Sequence, residues 1–148
     1  MRQAYRILAG LIAVLVVVQA AAIAYGSFSV DKVIEKVKDH GNVVTNASSK
    51  LDGGAGYGLH GLLGTMIIPV IALILLVVSF PAHVPQGVNW ASFVVADVII
   101  QLVLGFAAHS VAAFGWLHGP NALVLFALAG YTARRSVITK AQTPQPAT

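Results

Sequence analysis

Four long apolar runs constrain the fold of this chain more than any other feature of its sequence. They are 7-ILAGLIAVLVVVQAAAIAY-25, 62-LLGTMIIPVIALILLVVSF-80, 91-ASFVVADVIIQLVLGFAAH-109 and 116-WLHGPNALVLFALAGYTA-133. Each run is close to the ~20 residues that a helix needs to cross the hydrocarbon core of a bilayer. The runs are too continuous for barrel strands, so each predicts a membrane-spanning helix. The expected fold is all-α, a polytopic membrane four-helix bundle.

The composition narrows the possible functions. Only 9% of the 148 residues are charged, against about 25% in soluble domains. The chain has no cysteine, which excludes disulfides, iron–sulfur clusters, zinc–thiolate sites and cysteine nucleophiles. Histidine remains as the good nitrogen ligand for a metal. The net charge of +4 includes no basic run interleaved with aromatic residues, so no nucleic-acid partner is expected.

The predicted organisation is one transmembrane domain, 1–135, followed by a polar cytoplasmic tail, 136–148. The spans are expected at about 5–25, 58–80, 90–110 and 116–134. The first run also has features of a signal peptide, because Arg2 and Arg6 precede it and small residues follow. It is longer than the ~7–15 apolar residues of a signal, so we expect a retained span.

A long loop, 26–57, is expected between the first two spans. Within it, 30-VDKVIEKVKDH-40 has valine and isoleucine at helical spacing and predicts a short amphipathic helix. We expect this helix on the membrane surface or over the mouth of the bundle. The link between the third and fourth spans is very short, so those helices are expected to be antiparallel neighbours.

Basic residues at the two ends of the apolar region predict its orientation. Arg2 and Arg6 flank the first span, and Arg134, Arg135 and Lys140 follow the fourth. Four spans place both ends on the same side, and the positive-inside rule makes that side the cytoplasm. We therefore expect both termini inside and the loop 26–57 outside, in a bacterial cytoplasmic membrane.

Two histidines occupy matching places at the start of two spans. His60 lies in 57-YGLHGLLG-64 and His118 in 115-GWLHGPNAL-123, and the expected topology places both near the outer face. Two histidines on facing helices can bind the iron of a b-type haem from opposite sides. The alternative is that both are interfacial histidines with no shared ligand. His109 ends the third span at the same level and is expected to cap that helix or to contact a haem propionate.

Small residues one turn below each histidine are consistent with a haem slot. Gly64 follows His60 at i+4, and Ala122 follows His118 at i+4, so each shares a helix face with its histidine. Such residues leave room for a flat ring close to the backbone. They also serve helix–helix contact in membranes, which is the competing interpretation.

Three other polar residues lie inside the expected spans. Asp97 and Gln101 are one turn apart in the third span, and Gln19 lies in the first. A carboxyl group in a membrane is costly and is retained for function or for an ion pair. We expect a salt bridge from Asp97 to Arg6 or Arg134, with a proton- or quinone-linked role as the alternative. Gln19 is expected to face the histidines or to bond another span.

At His60 and His118 the chain resembles one four-helix half of the heme A synthase family, in which the two histidines of a half-bundle flank a haem. The resemblance covers the four spans and carries over these two residues only. That family has two such bundles, and it has a carboxylate where this chain has Tyr57. The resemblance therefore extends to haem binding and not to haem oxidation. The chain is also similar to small four-span bacterial proteins that share the patterns seen at His60–Gly64, Gln101 and His118–Leu123.

The sequence thus favours a membrane protein that binds haem b through His60 and His118. It would act in electron transfer or as the haem-bearing subunit of a larger membrane complex. The alternative is a cofactor-free accessory or scaffold subunit, whose small-residue faces dock on a larger complex or on copies of this chain. A proton-coupled transporter using Asp97 is a third hypothesis. The expected partners are the lipid bilayer and a larger membrane protein complex or further copies of this chain.

Overall fold

The computed structural model of the protein describes residues 1–40 and 54–141, with side chains for most of them. These residues form four helices and, within those two ranges, no strand. The helices are α1 (Arg2–His40), α2 (Gly54–Ala82), α3 (Gly87–Ser110) and α4 (Ala113–Ala141). Each is long and apolar enough to cross a membrane. The prediction of an all-α chain with four membrane-spanning helices is confirmed at this level.

The outward surface of the helices is made of large apolar side chains. Val14, Val77, Val103 and Leu123, one on each helix, are all more than half exposed. A soluble protein rarely exposes continuous apolar surface of this extent, whereas lipid is its natural surrounding. The outer faces therefore fit a bilayer.

The four helices form a closed ring. α1 packs on α2, α2 on α3, α3 on α4 and α4 back on α1, so α1 and α3 lie on one diagonal and α2 and α4 on the other. The links between α2 and α3 and between α3 and α4 are only a few residues long. The expectation that the third and fourth spans are neighbours is confirmed.

Three boundaries differ clearly from the expected ones, and one of them is the start of α2 at Gly54 instead of about residue 58. The segment 30–40 is helical, but it continues α1 to His40 and is not a separate helix. The single Gly26 costs about 1 kcal/mol in a helix and no proline follows it, so nothing stops α1 after the apolar run. α4 likewise continues past residue 135 to Ala141. The rest of the expected loop, 41–53, and of the tail, 142–148, lies outside the described residues.

One half of the bundle is filled with packed side chains. We call the end of the bundle on this side the arginine end, because Arg2 and Arg135 lie there beside the α2–α3 link. The side chains buried completely include Tyr5, Ile12, Leu75, Val94 and Ala129. The Tyr5 hydroxyl donates a 3.0 Å hydrogen bond to the Gly87 carbonyl at the start of α3. This half provides the rigid base of the fold.

Arginine side chains close the arginine end. Arg2 donates from Nε to the Ala82 carbonyl at 3.3 Å and from Nη2 to the His83 carbonyl at 2.8 Å. These carbonyls end α2 and lack partners within the helix, and a cation there also complements the helix dipole. Arg135 lies over the Trp90 ring, 5.4 Å from its centre, and bonds the Pro85 carbonyl. The α2–α3 link is therefore held to both α1 and α4.

Candidate functional site

The other half of the bundle is hollow. It contains a cavity of about 740 Å³ lined by all four helices, mostly with apolar side chains. Ligand pockets in proteins measure about 300–1,000 Å³, so the space is large enough for a cofactor. Seven of the eight residues singled out from the sequence line it: Gln19, His60, Gly64, Gln101, His109, His118 and Ala122. We call this side of the molecule the histidine end.

Each helix contributes one polar side chain to the centre of the cavity. Gln19 comes from α1, His60 from α2, Gln101 from α3 and His118 from α4. The two histidines belong to helices on a diagonal of the ring, so their side chains meet across the middle of the bundle. Their ring centres are 6.1 Å apart, and the ring planes are inclined at 70°. The structure therefore brings together the two histidines that the sequence paired.

The His60 ring is oriented by the backbone of α1. Its Nδ1 lies 3.3 Å from the Gln19 carbonyl oxygen. A carbonyl oxygen only accepts hydrogen bonds, so this contact assigns a proton to Nδ1. In the neutral ring, Nε2 is then an unprotonated nitrogen with a free lone pair.

The His118 ring is held by Gln101 in the same tautomer. His118 Nδ1 lies 3.1 Å from the Gln101 carbonyl oxygen. The Gln101 side-chain nitrogen donates to the His118 carbonyl at 3.1 Å and lies 3.4 Å from the ring Nε2. An amide nitrogen is a donor, so Nε2 of His118 faces it as an acceptor. Both histidines therefore keep a lone pair on Nε2.

Two glycines explain how these side chains fit. A methyl group on Gly105 would lie 3.1 Å from Cε1 of His118, so the absence of a side chain there makes room for the ring. Sequence reasoning missed Gly105, although its spacing of four residues from Gln101 was a signal. A methyl group on Gly64 would instead meet the Gln19 amide nitrogen at 3.1 Å. The space over Gly64 is thus occupied by Gln19, and it is not the open slot that was expected.

A π-helical turn follows His60 in α2. It covers Leu63–Ile67, and the Ile68 amide bonds the Leu63 carbonyl. Pro69 accounts for it, because in a regular α-helix the proline ring presses on the carbonyl four residues earlier. The extra residue turns the preceding segment by about 100° relative to the rest of the helix. The helix face on which His60 lies therefore cannot be predicted from the apolar pattern that follows Pro69.

His109 is at the edge of the site. Its side chain is exposed, lines the cavity and has Nδ1 2.9 Å from the Gly105 carbonyl, one turn back in α3. This contact matches the expected role of a residue that caps the end of the third span. It leaves His109 further from the centre than His60 and His118.

Asp97 lies below the cavity and not in its wall. Only 8% of its surface is exposed. The Asn121 side chain is the polar group that interacts with its carboxyl group, and Oδ2 has no hydrogen-bond partner within the described residues. The expected salt bridge to Arg6 or Arg134 is therefore wrong in this structure. Both arginines are exposed at the arginine end, while Asp97 faces the interior between α3 and α4.

Asn121 is the second residue that sequence reasoning missed. Its Nδ2 donates a 2.7 Å hydrogen bond to Oε1 of Gln101. A polar chain therefore runs from Asp97 through Asn121 and Gln101 to His118. The signal was an asparagine one turn after His118, at the start of an apolar run.

The donor set restricts which metals suit the site. In the two ranges that the structure describes, no three His, Cys, Asp or Glu side chains are grouped to hold a metal ion. A zinc site takes three or four such ligands from the protein. Two imidazoles are what an iron held by a porphyrin takes from a protein at its axial positions. The histidine pair therefore fits a haem better than a bare metal ion.

Comparison with known proteins gives no relative from which to transfer a function. The chain matches no protein-family model, no curated protein and no solved structure. The chemistry of the histidine end is therefore the basis for any assignment.

Proposed function

We propose that this protein is a membrane b-type haem protein in which His60 and His118 would bind the haem iron. It serves electron transfer, alone or as the haem-bearing subunit of a larger membrane complex. Haem supplies one-electron redox chemistry when bound. The residues of the chain bind it, orient it and keep water from it.

The observation that carries the proposal is the 6.1 Å between the ring centres of His60 and His118. Metal–imidazole bonds are about 2.0 Å, and the ring centre lies about 1 Å beyond the nitrogen, so two opposed axial imidazoles have centres about 6 Å apart. The two rings are at that separation already. This separation supports a shared iron between the two rings.

The hydrogen bonds of the two rings give further support. Histidines that bind metals usually donate the second ring N–H to a carbonyl or carboxylate, which fixes the ring and raises its basicity. Here Nδ1 of His60 faces the Gln19 carbonyl, and Nδ1 of His118 faces the Gln101 carbonyl. Each Nε2 is left as the ligating atom. The Gln101 amide near Nε2 of His118 is at 3.4 Å, too long for a strong bond, so ligation displaces little.

The walls of the cavity also suit a porphyrin. Around the four polar residues they are apolar, with small side chains at Gly61, Gly119 and Ala122. An apolar surrounding excludes water and influences the reduction potential of a bound haem. The resemblance to half of the heme A synthase family adds weight to this proposal. Tyr57 lines the cavity one turn before His60, where that family has a carboxylate, so the proposal is limited to haem binding and electron transfer.

We further propose that the arginine end faces the cytoplasm of a bacterial cell and the histidine end faces outward. Arg2, Arg6, Arg134 and Arg135 all lie at the arginine end or beside it. The positive-inside rule supports this orientation. The haem would then lie in the outer half of the membrane, accessible to a redox partner on that side.

The proposal is tested by purifying the protein in mild detergent, adding haem and recording the reduced-minus-oxidised visible spectrum. We expect sharp Soret and alpha bands that are lost or changed to a high-spin form in His60→Ala and in His118→Ala. His83→Asn is the matched control. His83 is exposed at the arginine end with φ 52°, a conformation that asparagine tolerates. A flat spectrum from the folded wild type would refute the proposal and favour a cofactor-free scaffold subunit.

A further inference from the structure

The polar chain below the cavity ends on His118 and has no counterpart at His60. His60 contacts one carbonyl, that of Gln19. His118 contacts Gln101 at three points: the carbonyl meets ring Nδ1, and the side-chain nitrogen meets both the His118 carbonyl and ring Nε2. The orientation of the Gln101 amide therefore decides what His118 Nε2 faces.

A primary amide can be turned by 180° with almost no change in shape, which exchanges its donor and acceptor. In the turned state, Oε1 of Gln101 would face Nε2 of His118 and would require a proton there. It would also face the His118 carbonyl oxygen, with which it cannot bond. The turned amide thus favours the His118 tautomer that has no lone pair on Nε2.

Asn121 is the side chain that opposes this rotation. Its Nδ2 donates to Oε1 of Gln101 at 2.7 Å, a shorter contact than any between Gln101 and His118. A donor at that place holds Oε1 of Gln101 toward Asn121 and the nitrogen toward His118. The buried Asp97 carboxyl group also interacts with the Asn121 side chain.

We propose that Asn121 is a positioning residue for His118. By fixing the Gln101 amide, it keeps the His118 proton on Nδ1 and leaves Nε2 unprotonated. This inference rests on the proposed function only where it names haem as the ligand, because His118 has a preferred tautomer with or without haem. Asn121 touches neither His118 Nε2 nor the ligand and acts through Gln101.

The test is the tautomer of His118 in haem-free protein, read from the ¹⁵N chemical shifts of labelled histidine. We expect the Nδ1–H form for both His60 and His118 in the wild type. Asn121→Leu, which keeps the branched shape of the side chain without its polar atoms, and Asn121→Ala, which truncates the side chain, should move His118 to a mixture or to the Nε2–H form. His60 should keep its tautomer in both variants and serves as the control within each sample.

Three further variants distinguish the Asp97–Asn121–Gln101 contacts from the general effect of altering a buried polar group. Thr132→Val removes a buried hydroxyl on α4 whose oxygen has no partner among the described residues, and it should leave His118 unchanged. Asp97→Asn keeps a hydrogen-bonding anchor and should also leave the tautomer unchanged, whereas Asp97→Leu should follow the Asn121 variants. An unchanged His118 tautomer in folded Asn121→Leu or Asn121→Ala would overturn the proposal.

Haem titration gives a second readout. Loss of a residue that orients a metal ligand typically costs 10–100-fold in affinity, so Asn121→Leu should weaken haem binding by at least about tenfold. If the tautomer shifts while neither protein binds haem, the positioning role stands and the haem assignment fails. If haem binds equally well to both and the tautomer does not shift, the haem assignment stands and the positioning role fails.

Discussion

His60 and His118 face each other across the diagonal of the helix ring, with 6.1 Å between ring centres and 70° between ring planes. They come from α2 and α4, which are held apart by their shared neighbours α1 and α3. Each ring is fixed by a carbonyl from one of those neighbours, Gln19 in α1 and Gln101 in α3. The pair is therefore a product of the whole bundle, and any change to the bundle at that level should alter it.

Replacing Gly105 should displace the His118 ring. In Gly105→Ala the new methyl group would lie 3.1 Å from Cε1 of His118, so the ring must shift by a few tenths of an ångström. We expect weaker haem binding in a spectroscopic titration, and a larger loss for Gly105→Val. Gly130→Ala is the control, since a methyl group there meets nothing within 4 Å. Equal affinity in Gly105→Val and the wild type would contradict the assigned ring position.

Filling the cavity should block the ligand while the helices stay folded. Ala122 lines the cavity, and Ala122→Trp places a large ring in the space beside His118. Ala127→Trp puts the same side chain on the exposed outer face of α4. We expect helicity by circular dichroism to be retained in both and haem binding to be lost only in the first. Haem binding by Ala122→Trp at wild-type affinity would show that the ligand site lies elsewhere.

The four spans and the histidine pair could be predicted because both depend on local pattern. A run of about 20 apolar residues has one stable form in lipid, and matched histidines at the start of the second and fourth spans, which run in the same direction, lie at one level. Gly105, Asn121 and the phase of His60 could not be predicted in the same way. They depend on which faces of α3 and α4 meet and on the π-helical turn before Pro69, neither of which the apolar pattern encodes.

The partner of Asp97 was mispredicted for a related reason. Charge alone favoured Arg6 or Arg134, since an isolated carboxyl group in a membrane is costly. In the structure, Arg134 is exposed at the arginine end. Asn121 is the side chain that interacts with Asp97. The residue that interacts with Asp97 is therefore decided by its depth along the bundle and not by the sign of its charge.

The packed half should govern the stability of the fold. Leu75 is completely buried and Leu73, on the same helix, is 55% exposed. Leu75→Ala should lower the free energy of unfolding by about 2–4 kcal/mol, because the cavity it leaves is only partly refilled. Leu73→Ala should cost far less, since lipid occupies the vacated space. Thermal unfolding in detergent checks the pair, and equal losses would contradict the assigned core.

Arg2 should stabilise the link between α2 and α3. Its guanidinium bonds the Ala82 and His83 carbonyls, and Arg2→Ala leaves these helix-end groups to water. Because the contact is partly exposed, we expect a loss of about 1 kcal/mol in unfolding free energy. Arg6→Ala, which removes an exposed arginine from the same helix, is the control. A larger effect from Arg6 than from Arg2 would be inconsistent with this closure of the arginine end.

The measurement that tests the central claim most directly is the low-temperature EPR spectrum of the oxidised protein after loading with haem. Two axial imidazoles give a low-spin ferric iron, and the 70° between the ring planes predicts the strongly anisotropic form of that signal. His60→Ala and His118→Ala should each convert it to a high-spin signal. A high-spin or free-haem signal from the folded wild type, unchanged by either substitution, would contradict the account.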